Sequence, residues 1–311
     1  MTMFPIGKDG NLISVHPLIY KSCDTLTYNL PKDWDSMILV TGDRKVRVGK
    51  SVLAMQIAAY CAYRQRCLGH NTHFTINDVY FQHKDLIDEA IKKPKYSINV
   101  YDEGREGLST DKSFTYAQRD LIDFFNEAGQ LNQIFIVVIS DFFDLKEYIA
   151  IARSECMFNV WREDVKKMKG VYEGEEKIPI VEWERGHFDF FSDRQKQILY
   201  DKAKKFKQKN YRLVDVQHGQ FPHQYIIDEE EYRKKKIECL QRYKKQRQEN
   251  AMKRTETKLL LLKIKELKEA GLTNKCIADE LFHIAGVHIS DEWVRVLAKS
   301  IEEKQKSDTE E

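Results

Sequence analysis

MILVTGDRKVRVGKSVLAMQIAAYC, residues Met37 to Cys61, holds the decision about the fold. The apolar run MILVT reads as a buried strand. It ends in a loop that sets two glycines around alternating basic residues, and Gly49-Lys50-Ser51 then opens a helical pattern, VLAMQIAAYCA. A phosphate cradle is built from these parts. Backbone N–H groups around the glycines point at the phosphates, and the helix N-terminus adds its dipole. The lysine bridges the β- and γ-phosphates, and the hydroxyl holds Mg²⁺. On that reading Gly42 and Gly49 permit the close backbone approach, Lys50 supplies the cation, Ser51 the metal hydroxyl, and Val52 completes the cradle. The spacing departs from G-x-x-x-x-G-K-[ST]. Six residues separate Gly42 from Gly49, and Arg44 stands where a glycine is expected. The alternative is a basic turn whose Lys50 faces solvent.

A second motif favours the cradle. SINVYDEGREG, from Ser97, is an apolar strand ending in Asp102-Glu103. Additional-strand P-loop ATPases place two adjacent carboxylates at such a strand end. Asp102 would hold the Mg²⁺ shell, and Glu103 would polarise the attacking water as general base. An ordinary strand end capped by acids is the alternative. IFIVVIS (134–140) is the most apolar strand, expected between the cradle strand and the Asp-Glu strand. It runs into Ser140-Asp141, where Asp141 either senses the γ-phosphate or caps a helix. Arg153, in YIAIARSEC, is placed either as an arginine finger toward a neighbouring subunit or as a surface or salt-bridged arginine.

The rest of the chain fits around these motifs. Its 311 residues are 42% hydrophobic and 32% charged with a net charge of +2, so nucleic-acid affinity requires local segregation of charge. Six cysteines, at 23, 61, 67, 156, 239 and 276, form no C-x-x-C pair, which suits free thiols in a reducing, cytoplasmic setting. No apolar run approaches the length of a membrane span. Residues 1–36 read as a strand-rich lead-in. From 37 to 162, strands at 37–41, 78–81, 98–102, 134–140 and 157–161 alternate with helical segments at 50–66, 84–93, 113–129 and 144–153. That alternation predicts an α/β three-layer sandwich on a parallel sheet. Residues 163–230 read as a β-rich extension, with a hairpin through Ser192 and weak strands at YRLVDV and HQYIID. His187, His218 and His223 lie there without metal-ligand spacing and read as ordinary histidines.

Residues 231–255 form a basic helical linker. From Glu231 to Arg254 there are ten Lys/Arg against three Glu, an excess of seven positive charges. Arg233, Lys234, Lys235, Lys236, Lys244, Lys245 and Arg247, interleaved with Tyr243, could track a phosphate backbone; a solvated linker helix is the alternative. Residues 256–302 read as three helices, the first ending at Gly271. Thr273 caps the second and Ser290 the third, with Trp293, Val294 and Leu297 facing inward. This is the helix-turn-helix order, with Arg295 and Lys299 exposed for DNA, although Asp291 and Glu292 share that face and Gly286 stands eight positions after Ala278. A three-helix protein-interaction bundle is the alternative. Residues 303–311 form a polar tail expected to fray.

With these residues in view, the chain resembles the zonular-occludens-toxin-like ATPases within the FtsK/HerA-type group, found in phages, archaeal viruses and mobile elements. The resemblance covers 37–162, through TGDRKVRVGKSVLAMQIA, VYDEGREGLS and FFNEAGQLNQIFIVVISDFFDLKEYIAIARS. It implies ATP and Mg²⁺ at Lys50 and Ser51, Asp102 in the metal shell and Glu103 as hydrolytic base. It also implies self-association and ATP use coupled to movement of DNA, double-stranded DNA being favoured, or to virion assembly with a portal-type partner. The longer cradle departs from the family, and membrane-anchored relatives carry a span this chain lacks. Three functions follow: a DNA-engaging ATPase motor or loader, an ATP-switched DNA-binding regulatory or partition protein, and a nucleotide-independent interaction protein.

Overall fold

The computed structural model describes residues 1–42, 47–102, 116–169, 178–285, 290–292 and 294–296. They fall into two units, Met1–Lys236 and Ile237–Glu311. The first opens with an antiparallel hairpin, β1 (Thr2–Pro5) and β2 (Leu12–Val15), and helix α1 (Pro17–Asn29). The strand-rich reading of 1–36 missed α1. His16 caps it, its ring accepting from the Leu18 amide at 3.2 Å, and Pro17 starts it where its missing N–H costs nothing. Ile19, Cys23 and Thr27 are buried at helical spacing.

Strand β3 (Ser36–Gly42) leads to α2 (Lys50–Cys67), then β4 (Val79–Tyr80), α3 (His83–Ala90) and β5 (Ile98–Asp102). After α4 (Tyr116–Glu127) come β6 (Ile134–Val138), a π-helical turn (Tyr148–Arg153) and β7 (Cys156–Lys169). β8 (Ile178–Ser192), α5 (Asp193–Phe206) and β9 (Gln217–Gln220) follow. The sheet order is β4-β5-β6-β3-β7-β8-β9. The strands from β4 to β7 are parallel, whereas β8 and β9 add antiparallel. β6 therefore lies between β3 and β5, as the sequence predicts. The hairpin read as an extension continues the same sheet.

Side chains alternate between two cores, one on each face. Ile38 and Val40 of β3, Ile136 and Val138 of β6, and Phe158 of β7 pack with α1 and α2. Met37, Leu39, Phe135, Val137 and Met157 pack on the other face with Leu86 of α3, Phe125 of α4 and Leu199 of α5. α2 is buried almost all round from Val52 to Ala62, since the sheet covers one side and α1 the other. This explains why VLAMQIAAYCA shows no polar face.

Residues 193–227 differ from expectation. Ser192 and Gln195 form a reciprocal capping box that starts α5. YRLVDV holds only a short helical turn, Tyr211–Leu213, and HQYIID is not a strand. Backbone that a strand would pair there is taken by a side chain, because Gln56 of α2 donates to the carbonyls of Pro222 (2.7 Å) and Gln224 (2.9 Å).

Helix α6 (Glu229–Glu269) begins in the first unit and continues into the second as one helix of 41 residues. The sequence reading divided it near residue 255, yet no glycine or proline interrupts it. In the second unit Gly271, at φ +81°, ends the descent, and Thr273 caps α7 (Asn274–Ala285) by accepting from the Cys276 amide at 3.4 Å. Ile264, Ile277, Leu281 and Val294 are buried together, so α6, α7 and the helical residues around 294 share one small core. Trp293 and Leu297 lie outside the described residues. No described helix is long and apolar enough to cross a membrane.

Burial separates the thiols. Cys23, Cys61, Cys156 and Cys239 are buried, whereas Cys67 and Cys276 are exposed. Burial pushes the Cys156 thiol up to about 12. A thiol-reagent titration should count two fast cysteines in the native protein and all six after denaturation.

Candidate nucleotide-binding site

Parallel strands of an α/β sheet present their ligand at the carboxyl edge. The ends of β3 and β5 place Gly42 and Asp102 at that edge, separated by β6. Gly49, at φ +106°, is the N-cap of α2 and has no side chain to satisfy the first amides. A helix N-terminus without a side-chain cap is the kind of place where an anion binds. Lys50 doubles back over β3: a Cβ on Gly42 would lie 3.2 Å from its Cδ and 3.3 Å from its Nζ. A side chain at 42 would therefore displace the lysine. At Gly49 a Cβ would meet the Phe221 ring at 3.2 Å, so this glycine is enforced by both backbone and packing. Val52 is 2% exposed and belongs to the core, leaving only its backbone for the cradle.

Ser51 and Asp102 converge on one atom. The Tyr232 hydroxyl donates to Asp102 Oδ2, and the Ser51 hydroxyl hydrogen-bonds to the same phenol oxygen. Burial, and then the Asp102 charge, push the Tyr232 phenol far above its usual range. Lys236 Nζ lies 3.6 Å from the same carboxylate oxygen. Asp102 is only 2% exposed, so its charge requires these partners. An alcohol and a carboxylate that can share one small partner are hard oxygen donors of the kind Mg²⁺ takes, and the set fits that ion. Glu103 lies outside the described residues.

Asp141 stands next to the cradle strand. It accepts from the Tyr211 hydroxyl at 3.0 Å and caps a short helical turn through the Phe143 amide at 3.2 Å. The Tyr211 hydroxyl is also 3.5 Å from the Gly42 carbonyl oxygen. Asp141 thus caps the turn, one of the two roles the sequence leaves open, and Tyr211 links it to the end of β3. A cavity of about 660 Å³ opens beside it, lined by Asn159, Asp189, Tyr211, Arg212 and His218 among others, and neither Lys50 nor Asp102 lines it. The His218 ring N–H donates to Asp189 Oδ1 at 2.7 Å, His187 stacks on Trp161, and His223 meets Arg185, so each of these histidines has an ordinary partner.

Of the two placements the sequence leaves open for Arg153, finger or salt-bridged residue, the chain itself supplies the salt bridge. Its guanidinium pairs with Asp35, with Nη1 at 3.1 Å, and its Nε donates to the Phe125 carbonyl at 2.8 Å. Asp35 precedes β3 and Arg153 precedes β7, so the pair sits at the amino edge of the sheet, opposite the cradle. Two of the expected DNA contacts also turn inward: Lys236 to Asp102, and Lys235 to the Ile76 carbonyl at 2.7 Å. Arg233 pairs with Glu229, and Arg295 pairs with Glu292 at 3.4 Å. Lys234, Lys244 and Lys245 are exposed. The Arg247 side chain and Lys299 lie outside the described residues. Tyr211, Phe221 and Tyr232 had no sequence signal, since each reaches the site from far along the chain.

No family model matches the chain, and no curated protein matches it. Among solved structures, the genome packaging NTPase of Sulfolobus turreted icosahedral virus 2 is similar over part of the chain. Its complex with ATP-gammaS aligns at TM-score 0.32 and 11% identity over 52% of this chain and 94% of that one. The AMPPCP complex gives TM-score 0.33 at 11% identity over the same shares, 52% and 94%. The AMP complex gives TM-score 0.29 at 14% identity over 41% and 75%.

Proposed function

We propose that this chain is a Mg²⁺-dependent P-loop ATPase that engages DNA, a motor or loader of a virus or mobile element. One observation carries the nucleotide part: Lys50 folds over the end of β3, and its neighbour Ser51 and Asp102 of β5 converge on the Tyr232 hydroxyl, with β6 between the two strands. The Gly49 and Lys50 amides and the Lys50 ammonium would hold the β- and γ-phosphates. Ser51 and Asp102 would hold Mg²⁺, which neutralises charge on the phosphates when bound. Glu103 would take the proton of the attacking water, and Asp141 would report the γ-phosphate to the β3 edge through Tyr211.

The DNA part is supported by the excess of seven positive charges between Glu231 and Arg254, the exposed Lys234, Lys244 and Lys245, and the three-element core read as helix-turn-helix. Double-stranded DNA, self-association and a virion or portal-type partner belong to this proposal through the family resemblance. With Arg153 held by Asp35, a trans-acting arginine would have to come from another position.

A second reading is an ATP-switched DNA-binding protein. It is favoured by the contact of α6, the basic helix, with Asp102 through Tyr232 and Lys236. Steady-state ATP hydrolysis with Mg²⁺, with and without double-stranded DNA, separates the readings. The motor predicts turnover raised by DNA and reduced roughly 10²-fold or more in Glu103→Gln, the usual contribution of a general base. ATP binding without DNA-stimulated turnover would favour the switch, and absence of nucleotide binding would leave an interaction protein.

A further inference from the structure

The Tyr232 contact has a feature that neither the cradle nor a basic helix requires. Its hydroxyl occupies the point shared by Ser51 and Asp102, and its ring, 5% exposed, is held between Phe81 (5.6 Å) and Tyr225 (5.9 Å). One turn further along α6, Lys236 adds a positive charge 3.6 Å from the same carboxylate oxygen. A hydrogen-bond donor and a cation together meet the needs of a buried carboxylate that would otherwise face a metal ion.

We propose that Tyr232 and Lys236 form a latch that takes the place of Mg²⁺ between Ser51 and Asp102, so that binding of Mg·ATP releases the first turns of α6 from the site. The inference rests on the phosphate-cradle reading. Ser51 and Asp102 can turn their oxygens to the latch or to the ion, and the two arrangements exclude each other. The chain just before the latch is tied down separately. Phe221 covers Gly49, Gln56 holds the Pro222 and Gln224 carbonyls, and Lys8 pairs with Asp228 at 2.9 Å. Asp228 in turn caps α6, accepting from the amides of Glu230 (2.9 Å) and Glu231 (3.1 Å). Movement would therefore begin after Asp228 and leave the strap on α2 in place. Because α6 carries the exposed Lys244 and Lys245, the nucleotide state would be felt by the helix that supplies the candidate DNA contacts.

The test uses the full chain and a fluorescent ATP analogue, titrated with Mg²⁺ and with EDTA. Tyr232→Phe keeps the ring between Phe81 and Tyr225 and deletes the hydroxyl. It should tighten Mg²⁺-dependent binding by roughly tenfold, the weight of one hydrogen bond to a carboxylate on a closed-to-open equilibrium. Binding in EDTA should stay within about twofold, because only the metal competes with the hydroxyl. Lys236→Met should shift Mg²⁺-dependent binding in the same direction, and a thermal melt of each variant confirms folding. In the wild type, hydrogen exchange of residues 229–236 should rise with Mg·ATPγS and not with ATPγS in EDTA. Equal Mg²⁺ dependence in wild type and Tyr232→Phe, or unchanged protection of 229–236 with nucleotide bound, would overturn the latch. Failure of the wild type to bind nucleotide in either buffer would instead overturn the cradle and the latch with it.

Discussion

Lys50→Ala should weaken ATP binding by at least about 30-fold while leaving the protein as stable as the wild type or slightly more so. The ammonium lies beside the end of β3, where a Cβ on Gly42 would sit 3.3 Å from its Nζ, and on the proposed reading it meets the phosphates there. Removing a partner from a desolvated phosphate–lysine pair costs roughly 2–5 kcal/mol, or about 30-fold to several-thousand-fold in affinity. Stability runs the other way. Lys50 is the first residue of α2, where the helix dipole is positive, and Gly49 offers no side-chain cap. A cation there opposes the dipole by about 0.3–1 kcal/mol, which alanine relieves. Isothermal titration with Mg·ATPγS and denaturant unfolding of the same samples check both halves. Undiminished binding by Lys50→Ala would return the GKS segment to a basic turn.

Arg153→Ala should cost stability, not turnover in a neighbouring subunit. The Arg153 and Asp35 side chains are 14% and 11% exposed, and the Phe125 carbonyl takes the remaining Nε–H. Removing one partner of a buried pair leaves the other charge uncompensated, with a cost of about 3–5 kcal/mol. Arg153→Met with Asp35→Leu should recover much of that loss, since replacing both members removes the orphaned charge. Urea unfolding of the two single variants and the double variant measures the difference. Wild-type stability in Arg153→Ala, combined with turnover lost only in the assembled protein, would restore the finger.

Short-range pattern carried much of the chain. GKS after MILVT placed a helix start against a strand end because a buried strand, a left-handed glycine and a helix N-terminus are each written locally. Gly49 at φ +106° and α2 beginning at Lys50 follow from that alone. SINVYD ended at Asp102 for the same reason, and the uniform apolarity of IFIVV marked a strand buried on both faces, which β6 is. Other signals are local as well: Pro17 at the first turn of α1 and the Ser192–Gln195 capping box at the start of α5 are helix starts written in a few neighbouring residues.

Other features had no local signal to read. Arg153 looked the same in sequence whether it reached a neighbour or Asp35, because that choice depends on which edge of the sheet it occupies. Tyr232 lies 130 positions from Asp102 and came within reach only because the strap from Phe221 to Asp228 crosses α2. Sequence by itself determined the strand end and helix start around Gly49, the strand that ends at Asp102 and the basic helix, whose physics acts over a few neighbouring residues. The tertiary structure alone decided which charges stay buried and what meets Asp102, because a carboxylate removed from water takes whichever donors the packed chain brings to it.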